Sequence, residues 1–370
     1  MIYFDHAATS ICNEEILDGY FNALKEYSFN SESIYNDGIK VKRRLGLVRE
    51  KCAQLLGVFC DELYFTSGAT FSNNLGIIGY LKTFNQQRVR VITSYMEHSS
   101  VYNIFKNVAS NIEVLYCRNN EFGELDLDHL SQLINDSTVL VTVNVVNNEL
   151  GNVSDLEKIY KLVKSRSKAL VFADYTQAIM KTTKELKFCD MASLSAHKLG
   201  GLKGCGLFYK KRNVKIEPII FGGSQEFGLV PGTINAPAQM MWYRTLRLKY
   251  EKFEKNYSYT KSLMDYFKSK LNSNYIINSA NNHSPYIISV SYLGFGSEVI
   301  MNHLFSNGIY VSSQSTCHLS YNQLSPVINA LNISRERMES VIRISFDIDN
   351  TTNEIDCFLS VMERLKEYAR

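Results

Sequence analysis

The chain lacks the features that mark several classes of protein. Its 370 residues include only five prolines and 20 glycines, too few for a fibrous or disordered chain. No two of its eight cysteines are spaced as Cys-x-x-Cys, so the sequence predicts no zinc ribbon, no dithiol redox motif and no metal site. The cysteines are also too sparse for a disulfide framework, which favours reduced thiols in a cytoplasmic protein.

Charge and apolar patterning exclude two further classes. Lysine and arginine number 40 against 37 acidic residues, a net charge of +3, so we expect no direct contact with nucleic acid. The apolar run at 139–146 is interrupted by polar residues and is too short for a membrane helix. The N-terminal segment does not resemble a signal peptide. We therefore expect a cytoplasmic protein without a membrane segment.

Short apolar runs and helical patterns alternate through the middle of the chain. This alternation is typical of a mostly parallel sheet with helices on both faces. Sheets of this kind bind ligands at the carboxyl ends of their strands. The pattern predicts strands at 89–93, 112–116, 138–146, 169–173 and 192–195, and helices at 68–80, 99–108, 125–133 and 156–165.

A polar helical stretch near residues 238–272 separates this region from a second one. Residues 285–370 read as strand, helix, strand, loop, helix, strand and helix, which indicates a smaller α+β lobe. We expect a large α/β domain at 14–250 and a small α+β domain formed by 1–13 together with 251–370.

Two strand ends carry residues suited to an aldehyde cofactor. Lys198 follows a strand and precedes a cluster of glycines at 200–206, which let the backbone approach a ligand closely. Such a lysine can form a Schiff base, although a solvated loop lysine is the ordinary alternative. Asp174 ends another strand, where a buried carboxylate needs a cation such as the pyridine nitrogen of pyridoxal phosphate (PLP). A helix cap or a surface position is its alternative.

Two further motifs suit the same cofactor. Gly68, Ala69 and Thr70 precede a helix, where free N–H groups and the helix dipole favour a phosphate, although an ordinary capped helix is the alternative. His98 follows a strand, and its imidazole could stack on a planar ring and carry protons. A lone histidine is more often structural, so the combination of motifs carries the argument.

The order and spacing of these motifs resemble the cysteine desulfurases, PLP-dependent enzymes of fold type I in the class V aminotransferase family. The resemblance covers essentially the whole chain. It includes FDHAATS at 4–10, the Asn-Asn-Glu-Leu-Gly at 147–151, FGGSQEFGLVPGT at 221–233, VSSQSTC at 311–317 and VIRIS at 341–345. It implies a fold type I architecture and the conversion of L-cysteine to L-alanine, with sulfur passing to Cys317 as a persulfide.

The resemblance implies a role for each matching residue. Lys198 would hold PLP covalently and later move the Cα proton, and His98 would stack on the ring as an acid or base. Cys317 would attack the substrate sulfur, while Asn148 and Arg343 would hold the substrate carboxylate. The remaining cofactor contacts would be Asp174 at the pyridine nitrogen, Gln177 at the ring hydroxyl, and Gly68, Ala69, Thr70, Ser195, His197 and a neighbouring subunit's Thr233 at the phosphate.

The resemblance also implies partners. A homodimer follows from the role of Thr233, and a sulfur-accepting protein would serve iron–sulfur cluster assembly or thiolation.

The sequence departs from the family at a few positions. His6, Phe71 and Val230 stand where the family usually has asparagine, an acid and arginine. Gln314-Ser315-Thr316 stands in place of Gly-Ser-Ala. Val230 bears on loop closure or acceptor docking, but no departure removes a cofactor-anchoring residue.

Two other functions stay open at this point. A related PLP enzyme, such as a selenocysteine lyase, a cysteine sulfinate desulfinase or an aminotransferase, would need Lys198 and Asp174 but not Cys317. A catalytically degenerate scaffold would bind PLP or a partner without turnover. The complete set of Lys198, Asp174, His98, Arg343 and Cys317 argues against the second.

Overall fold

The computed structural model describes residues 1–313 and 324–365. The strands are β1 Ile2–Tyr3, β2 Leu63–Thr66, β3 Val89–Ser94, β4 Ile112–Cys117, β5 Thr138–Asn144, β6 Leu170–Asp174, β7 Met191–Ser195, β8 Gly206–Lys210, β9 Tyr275–Ile277, β10 Ile287–Tyr292, β11 Ile309–Tyr310, β12 Ser312–Ser313 and β13 Val341–Ser345. The helices are α1 Glu14–Glu26, α2 Asn36–Leu56, α3 Ala69–Lys82, α4 Ser99–Phe105, α5 Leu127–Leu133, α6 Leu156–Arg166, α7 Ala236–Glu251, α8 Phe253–Lys270, α9 Ser297–Ser306, α10 Pro326–Asn329, α11 Arg335–Glu339 and α12 Thr352–Leu365.

The strands and helices predicted for the middle of the chain are all present, with ends that shift by a few residues. The predicted helical stretch at 238–272 is instead two helices, α7 and α8. They separate at Lys252, whose backbone leaves the helical conformation at φ −108° and ψ 10°. A polar helical pattern continues through this break, so the periodicity alone could not locate it.

The large sheet has seven strands in the order β2-β8-β7-β6-β5-β3-β4. In it β8 runs antiparallel to both of its neighbours, and the remaining pairs are parallel. The predicted mostly parallel sheet is therefore confirmed. Alternate residues face opposite sides, as a strand requires: Val171 and Ala173 belong to one apolar cluster and Phe172 to the other. Helices thus cover both faces of the sheet.

A second sheet and a separate apolar core occupy the other end of the molecule. The strands β12, β13, β10 and β9 form an antiparallel sheet, and β1 pairs in parallel with β11. The core packs Phe4, Phe267, Phe346 and Phe358 against one another, with ring centroids 5.2 to 6.2 Å apart. On this basis we propose the two-domain division at 14–250 and at 1–13 plus 251–370.

The N-terminal segment joins the two cores beside the carboxyl ends of the central strands. Asp5 bridges to Ser345 of β13, while the main-chain N–H of Ser10 donates to His197 O at 2.9 Å. The carboxyl end of β6 lies in register with its neighbours, with Asp174 opposite Asn144 and Ser193. Residues distant in sequence are therefore brought to one edge of the sheet. Of the helices within 1–313 and 324–365, none is long and apolar enough to cross a membrane.

Candidate active site

A cavity of about 610 Å³ lies at the carboxyl ends of the central strands. Of the predicted site residues that the structure describes, one does not line this cavity. Thr233 is exposed on the surface, and Cys317 lies outside the described residues. The predicted site residues that line the cavity are Gly68, Ala69, Thr70, His98, Asn148, Asp174, Gln177, Ser195, His197, Lys198 and Arg343.

Lys198 is held in the cavity by the N-terminal segment. It lies in a short 3₁₀ turn that follows β7 and ends at Gly200, whose φ of 73° is left-handed and favours glycine. The ammonium Nζ donates to the carbonyl oxygens of Ala7 and Ala8 at 2.7 and 2.6 Å. Gln177 Nε2 donates to the same Ala7 oxygen at 2.8 Å. The lysine is therefore placed by tertiary contacts rather than solvated on a loop.

Asp174 is a buried carboxylate at the end of β6, with only 5% of the residue exposed. Its Oδ1 accepts from the main-chain N–H of Thr176 at 2.9 Å, and its Oδ2 accepts from Asn73 Nδ2 at 3.2 Å. Burial excludes the surface position that the sequence left open. A carboxylate with these few donors retains the capacity to accept a strong hydrogen bond from a cationic ring nitrogen.

His98 precedes α4 as its N-cap, separated from β3 by a short turn. The main-chain N–H of Ser100 donates to His98 Nδ1 at 3.1 Å, so Nδ1 is an acceptor and the neutral ring carries its proton on Nε2. Burial lowers the pKa of His98, while Asp174 opposes the shift and Lys198 adds to it. Asn73 Nδ2 donates to Ser100 Oγ at 2.8 Å and also to Asp174, which links the imidazole to the carboxylate.

The N-terminus of α3 forms an open cradle for an anion. Gly68 caps the helix without a side-chain hydrogen bond, and a Cβ built on it would meet no atom within 4 Å. A Cβ on Gly206 would lie 2.5 Å from Gly68 Cα, so glycine at 206 makes room for this loop. Of the glycines after Lys198 that we expected to admit a ligand, Gly206 therefore makes room for the protein's own loop, whereas Gly204 lines the cavity. Burial, together with Lys198 and other nearby lysines, lowers the pKa of His197 to about 4, so its ring is neutral.

The residues of this cavity fit PLP. A helix N-terminus without a side-chain cap suits a phosphate, and a buried carboxylate elsewhere in the cavity wall suits a pyridine nitrogen. The primary amine of Lys198 faces the same space, where it can take up an aldehyde.

Arg343 lies on β13, in the second sheet, and reaches the cavity from that side. Its Nη1 donates to Asn148 O at 2.9 Å, and its Nη2 donates to Asp5 Oδ1 at 2.8 Å. Its Nε and the Asn148 Oδ1 are buried without a hydrogen-bond partner among the described residues. Asn147 is used differently, because its Oδ1 accepts from the N–H groups of Glu149 and Leu150 and shapes the turn.

Comparisons with known proteins identify the family of this chain. The sequence profile of the family described as Aminotransferase class-V matches residues 2–358. The chain belongs to the class-V aminotransferase family. It is 30% identical over 377 residues to a cysteine desulfurase of Trichormus azollae, covering 100% of this chain and 94% of that protein.

Solved structures support the fold type I assignment of this chain. A NifS-like protein superposes with a TM-score of 0.93 at 32% identity, covering 99% of both chains. The structure of SspA in complex with cysteine superposes with a TM-score of 0.82 at 27% identity, covering 94% of this chain and 99% of that one. The predicted family resemblance and fold class are confirmed.

The cavity wall also contains two carboxyl groups that the sequence analysis does not predict. Glu97 is only 3% exposed, and neither of its oxygens has a hydrogen-bond partner in the described chain. Burial raises the pKa of Glu97 to about 8. The charge of Asp174 adds to this rise, whereas Thr142 acts to lower the pKa. Burial also raises the pKa of Glu149 to about 7, although the Ser325 hydrogen bond and the charge of Arg343 both act to lower it. Glu97 directly precedes His98, and Glu149 lies inside the motif at 147–151, both of which the sequence analysis names.

The departures from the family pattern fall in different places. His6 is buried, and neither of its ring nitrogens has a hydrogen-bond partner among the described residues. Its ring lies edge-to-face with that of Tyr3, with the two ring centroids 4.9 Å apart. Phe71 lines the cavity and also packs against an apolar cluster of the large sheet. Val230 packs against that cluster and does not line the cavity. Residues 314–316 lie outside the described residues.

Proposed function

We propose that this protein is a PLP-dependent cysteine desulfurase. The convergence of Lys198, Asp174 and Arg343 on one cavity carries the proposal, since they come from two sheets and supply an amine, a carboxylate and a guanidinium. The matched relatives that bear the name cysteine desulfurase support it. The substrate would be L-cysteine, the product L-alanine, and the first sulfur acceptor Cys317.

The cavity residues would hold PLP at three points. Lys198 Nζ would bond to the aldehyde carbon, and Asp174 would accept a hydrogen bond from the ring nitrogen while Gln177 contacts the ring hydroxyl. The phosphate would lie at the N-terminus of α3, with Thr70, Ser195 and His197 as side-chain contacts. When bound, PLP supplies an electron sink for the bonds at the substrate Cα.

The substrate would be oriented by its carboxylate. The planar guanidinium of Arg343 matches a carboxylate geometrically, and its Nε has a proton without a partner in the described chain. Asn148 lies beside it and would complete this contact. With the carboxylate held there, Lys198 Nζ would take the proton from Cα, and His98 would hold or release a proton at Nε2 above the same carbon.

Sulfur would leave the substrate by attack of the Cys317 thiolate on Sγ. The Cβ–Sγ bond breaks and an S–S bond forms, so Cys317 becomes a persulfide and Cβ gains a proton to give L-alanine. The transfer balances without an external oxidant, and a thiol acceptor then takes the outer sulfur from the persulfide. Only a thiolate performs this attack efficiently.

A second copy of this chain would complete the site. Exposed apolar side chains are concentrated on α1, on the segment that joins α1 to α2, on α2 and on the 221–233 loop, among them Phe21, Ile34, Phe221 and Phe227. Such surface is costly to leave in water and is typical of a protein interface. Thr233 is exposed on the same loop, where it could reach a neighbour's phosphate. The dimer, a sulfur-accepting partner protein and a cytoplasmic location are parts of this proposal.

Turnover of L-cysteine tests the proposal. The protein loaded with PLP is given L-cysteine and a thiol reductant, and L-alanine and sulfide are measured against the same protein without PLP. We expect equal amounts of alanine and sulfide from the loaded protein alone. Alanine from cysteine sulfinate or selenocysteine but not from L-cysteine would assign a related lyase, and no product from any of the three would contradict the proposal.

A further inference from the structure

Glu149 presents a carboxyl oxygen that nothing in the described chain uses. Its Oε1 accepts from Ser325 Oγ at 2.8 Å, and Ser325 also caps α10 through the N–H of Val327. Its Oε2 is buried and has no hydrogen-bond partner among the described residues. Glu149 is part of the cavity wall. A buried polar atom without a partner costs free energy, so this oxygen points to a ligand that supplies one.

The charges around Glu149 determine which ligand that is. Arg343 is the cation that acts on this carboxyl, but its Nη2 is already paired with Asp5 at 2.8 Å. A substrate carboxylate at Arg343 and an ionised Glu149 would together place a third negative charge around one guanidinium. Repulsion of this kind is strong in a buried site. The other titratable groups of the cavity wall are Glu97, His98, Tyr102, Asp174, His197, Lys198 and Lys203.

We propose that Glu149 binds the substrate carboxylate through a protonated Oε2. In this form Oε2–H donates a hydrogen bond to the carboxylate of the amino acid, beside Arg343 and Asn148. In the ionised form Glu149 repels that carboxylate and competes with it for Arg343. The inference rests on the proposed function only in assuming that an α-amino acid binds at Arg343.

The consequence is a proton requirement for substrate binding. Since burial raises the pKa of Glu149 to about 7, the protonated form is lost as the pH rises through the neutral range. If one proton must be taken up, affinity for the amino acid falls by up to about tenfold for each pH unit above that pKa. The variant Glu149→Gln keeps an N–H donor and an oxygen acceptor for Ser325 but cannot ionise, so it removes the requirement.

The test measures binding rather than turnover. The dissociation constant of L-alanine is determined from the visible absorbance of the PLP-loaded protein, for wild type and Glu149→Gln, across the neutral range. Ionisation of the alanine amine and of PLP is common to both proteins, so the ratio of the two constants isolates Glu149. We expect the dissociation constant of wild type divided by that of Glu149→Gln to be constant below about pH 7 and to rise by up to about tenfold per pH unit above it. A ratio that stays constant with pH would overturn the proposal.

Two other variants provide a control and a second test. Glu124→Gln, on an exposed turn, should follow wild type at every pH. In Ser325→Ala the hydrogen bond that lowers the pKa of Glu149 is lost, so the decline in affinity should move to higher pH. An unchanged profile in Ser325→Ala would also contradict the proposal, even if Glu149→Gln failed to fold. A flat ratio in an enzyme that desulfurates L-cysteine would reject Glu149 alone, whereas a rising ratio without desulfuration would reject the proposed reaction alone.

Discussion

The ammonium of Lys198 donates a hydrogen bond to the carbonyl oxygen of Ala7 at 2.7 Å, across 191 positions of sequence. Gln177 Nε2 donates to the same oxygen at 2.8 Å, so one backbone group orients two of the cofactor contacts. The N-terminal segment is tied down in turn by the Ser10 N–H to His197 O bond. The geometry of the site therefore depends on the first ten residues as well as on the strand ends.

Replacement of Lys198 tests this arrangement. In Lys198→Ala the amine that would hold PLP and move the Cα proton is absent, so we expect alanine formation from L-cysteine to fall by at least about 10²-fold. The visible absorbance of PLP should also disappear on dialysis. Lys203→Ala is the matched control, since Lys203 lines the same cavity in the next glycine turn. Retention of turnover in Lys198→Ala, or equal losses in both variants, would contradict the assignment.

Glu97 should make the stability of the PLP-free protein depend on pH. Burial raises the pKa of Glu97 to about 8, so the folded state keeps a proton that the unfolded chain loses at lower pH. Between about pH 5 and about pH 8 the unfolded state binds fewer protons, and stability falls with rising pH by up to about 1.4 kcal/mol per unit. In Glu97→Gln this contribution is absent. Urea unfolding should therefore show wild type losing stability relative to the variant as the pH rises through this window.

The exposed Glu50 provides the control for that measurement. Glu50→Gln should differ from wild type by the same amount at each pH, because Glu50 is accessible to solvent. Parallel stability curves for wild type and Glu97→Gln would show that Glu97 ionises normally in the folded protein.

The pair of Arg49 and Glu226 should be important for the loop that carries Thr233. Arg49 Nη2 lies 2.6 Å from Glu226 Oε1, and only 2% of the Glu226 side chain is exposed. The pair holds Glu226 and Phe227 at φ 48° and 58°, a left-handed conformation that is unfavourable for both residues. Arg49→Met leaves a buried carboxylate without its cation, so we expect a loss of about 3 kcal/mol in the free energy of unfolding.

Arg335→Met removes an exposed ion pair with Glu339 and serves as the comparison, with no measurable change expected. We also expect Arg49→Met to weaken the proposed dimer, which sedimentation can measure. Equal stability of the two variants would show that the Arg49 pair contributes little to the loop.

The strand and helix order and the positions of Lys198 and Asp174 could be predicted because they are local signals. Each lies at the end of a β-branched or apolar run, and the carboxyl ends of parallel strands meet at one edge. Arg343 and Asn148 were assigned from the family resemblance, and the structure brings both to the cavity. Their roles stay predictions until they are tested.

The contacts that hold these residues could not be predicted, because they are long-range. Nothing near Lys198 in sequence indicates that Ala7 and Ala8 accept its hydrogen bonds, and nothing near Asp174 indicates Asn73. The burial of the Glu97 and Glu149 carboxyl groups could not be predicted either, since a glutamate in a polar motif is ordinarily exposed. Burial is a property of the whole fold and was visible only in the structure.

Sulfur transfer to Cys317 is the most direct test of the proposed cysteine desulfurase reaction. Wild type, Cys317→Ser and the control Cys60→Ser, which removes an exposed thiol, are loaded with PLP and given L-cysteine. Each protein is then analysed by mass spectrometry for an added sulfur atom, and L-alanine is measured with a thiol reductant present. We expect a persulfide on Cys317 and alanine formation in wild type and Cys60→Ser, and neither in Cys317→Ser. Equal alanine formation in all three proteins would contradict the proposed transfer and would assign the reaction to a lyase that needs no protein thiol.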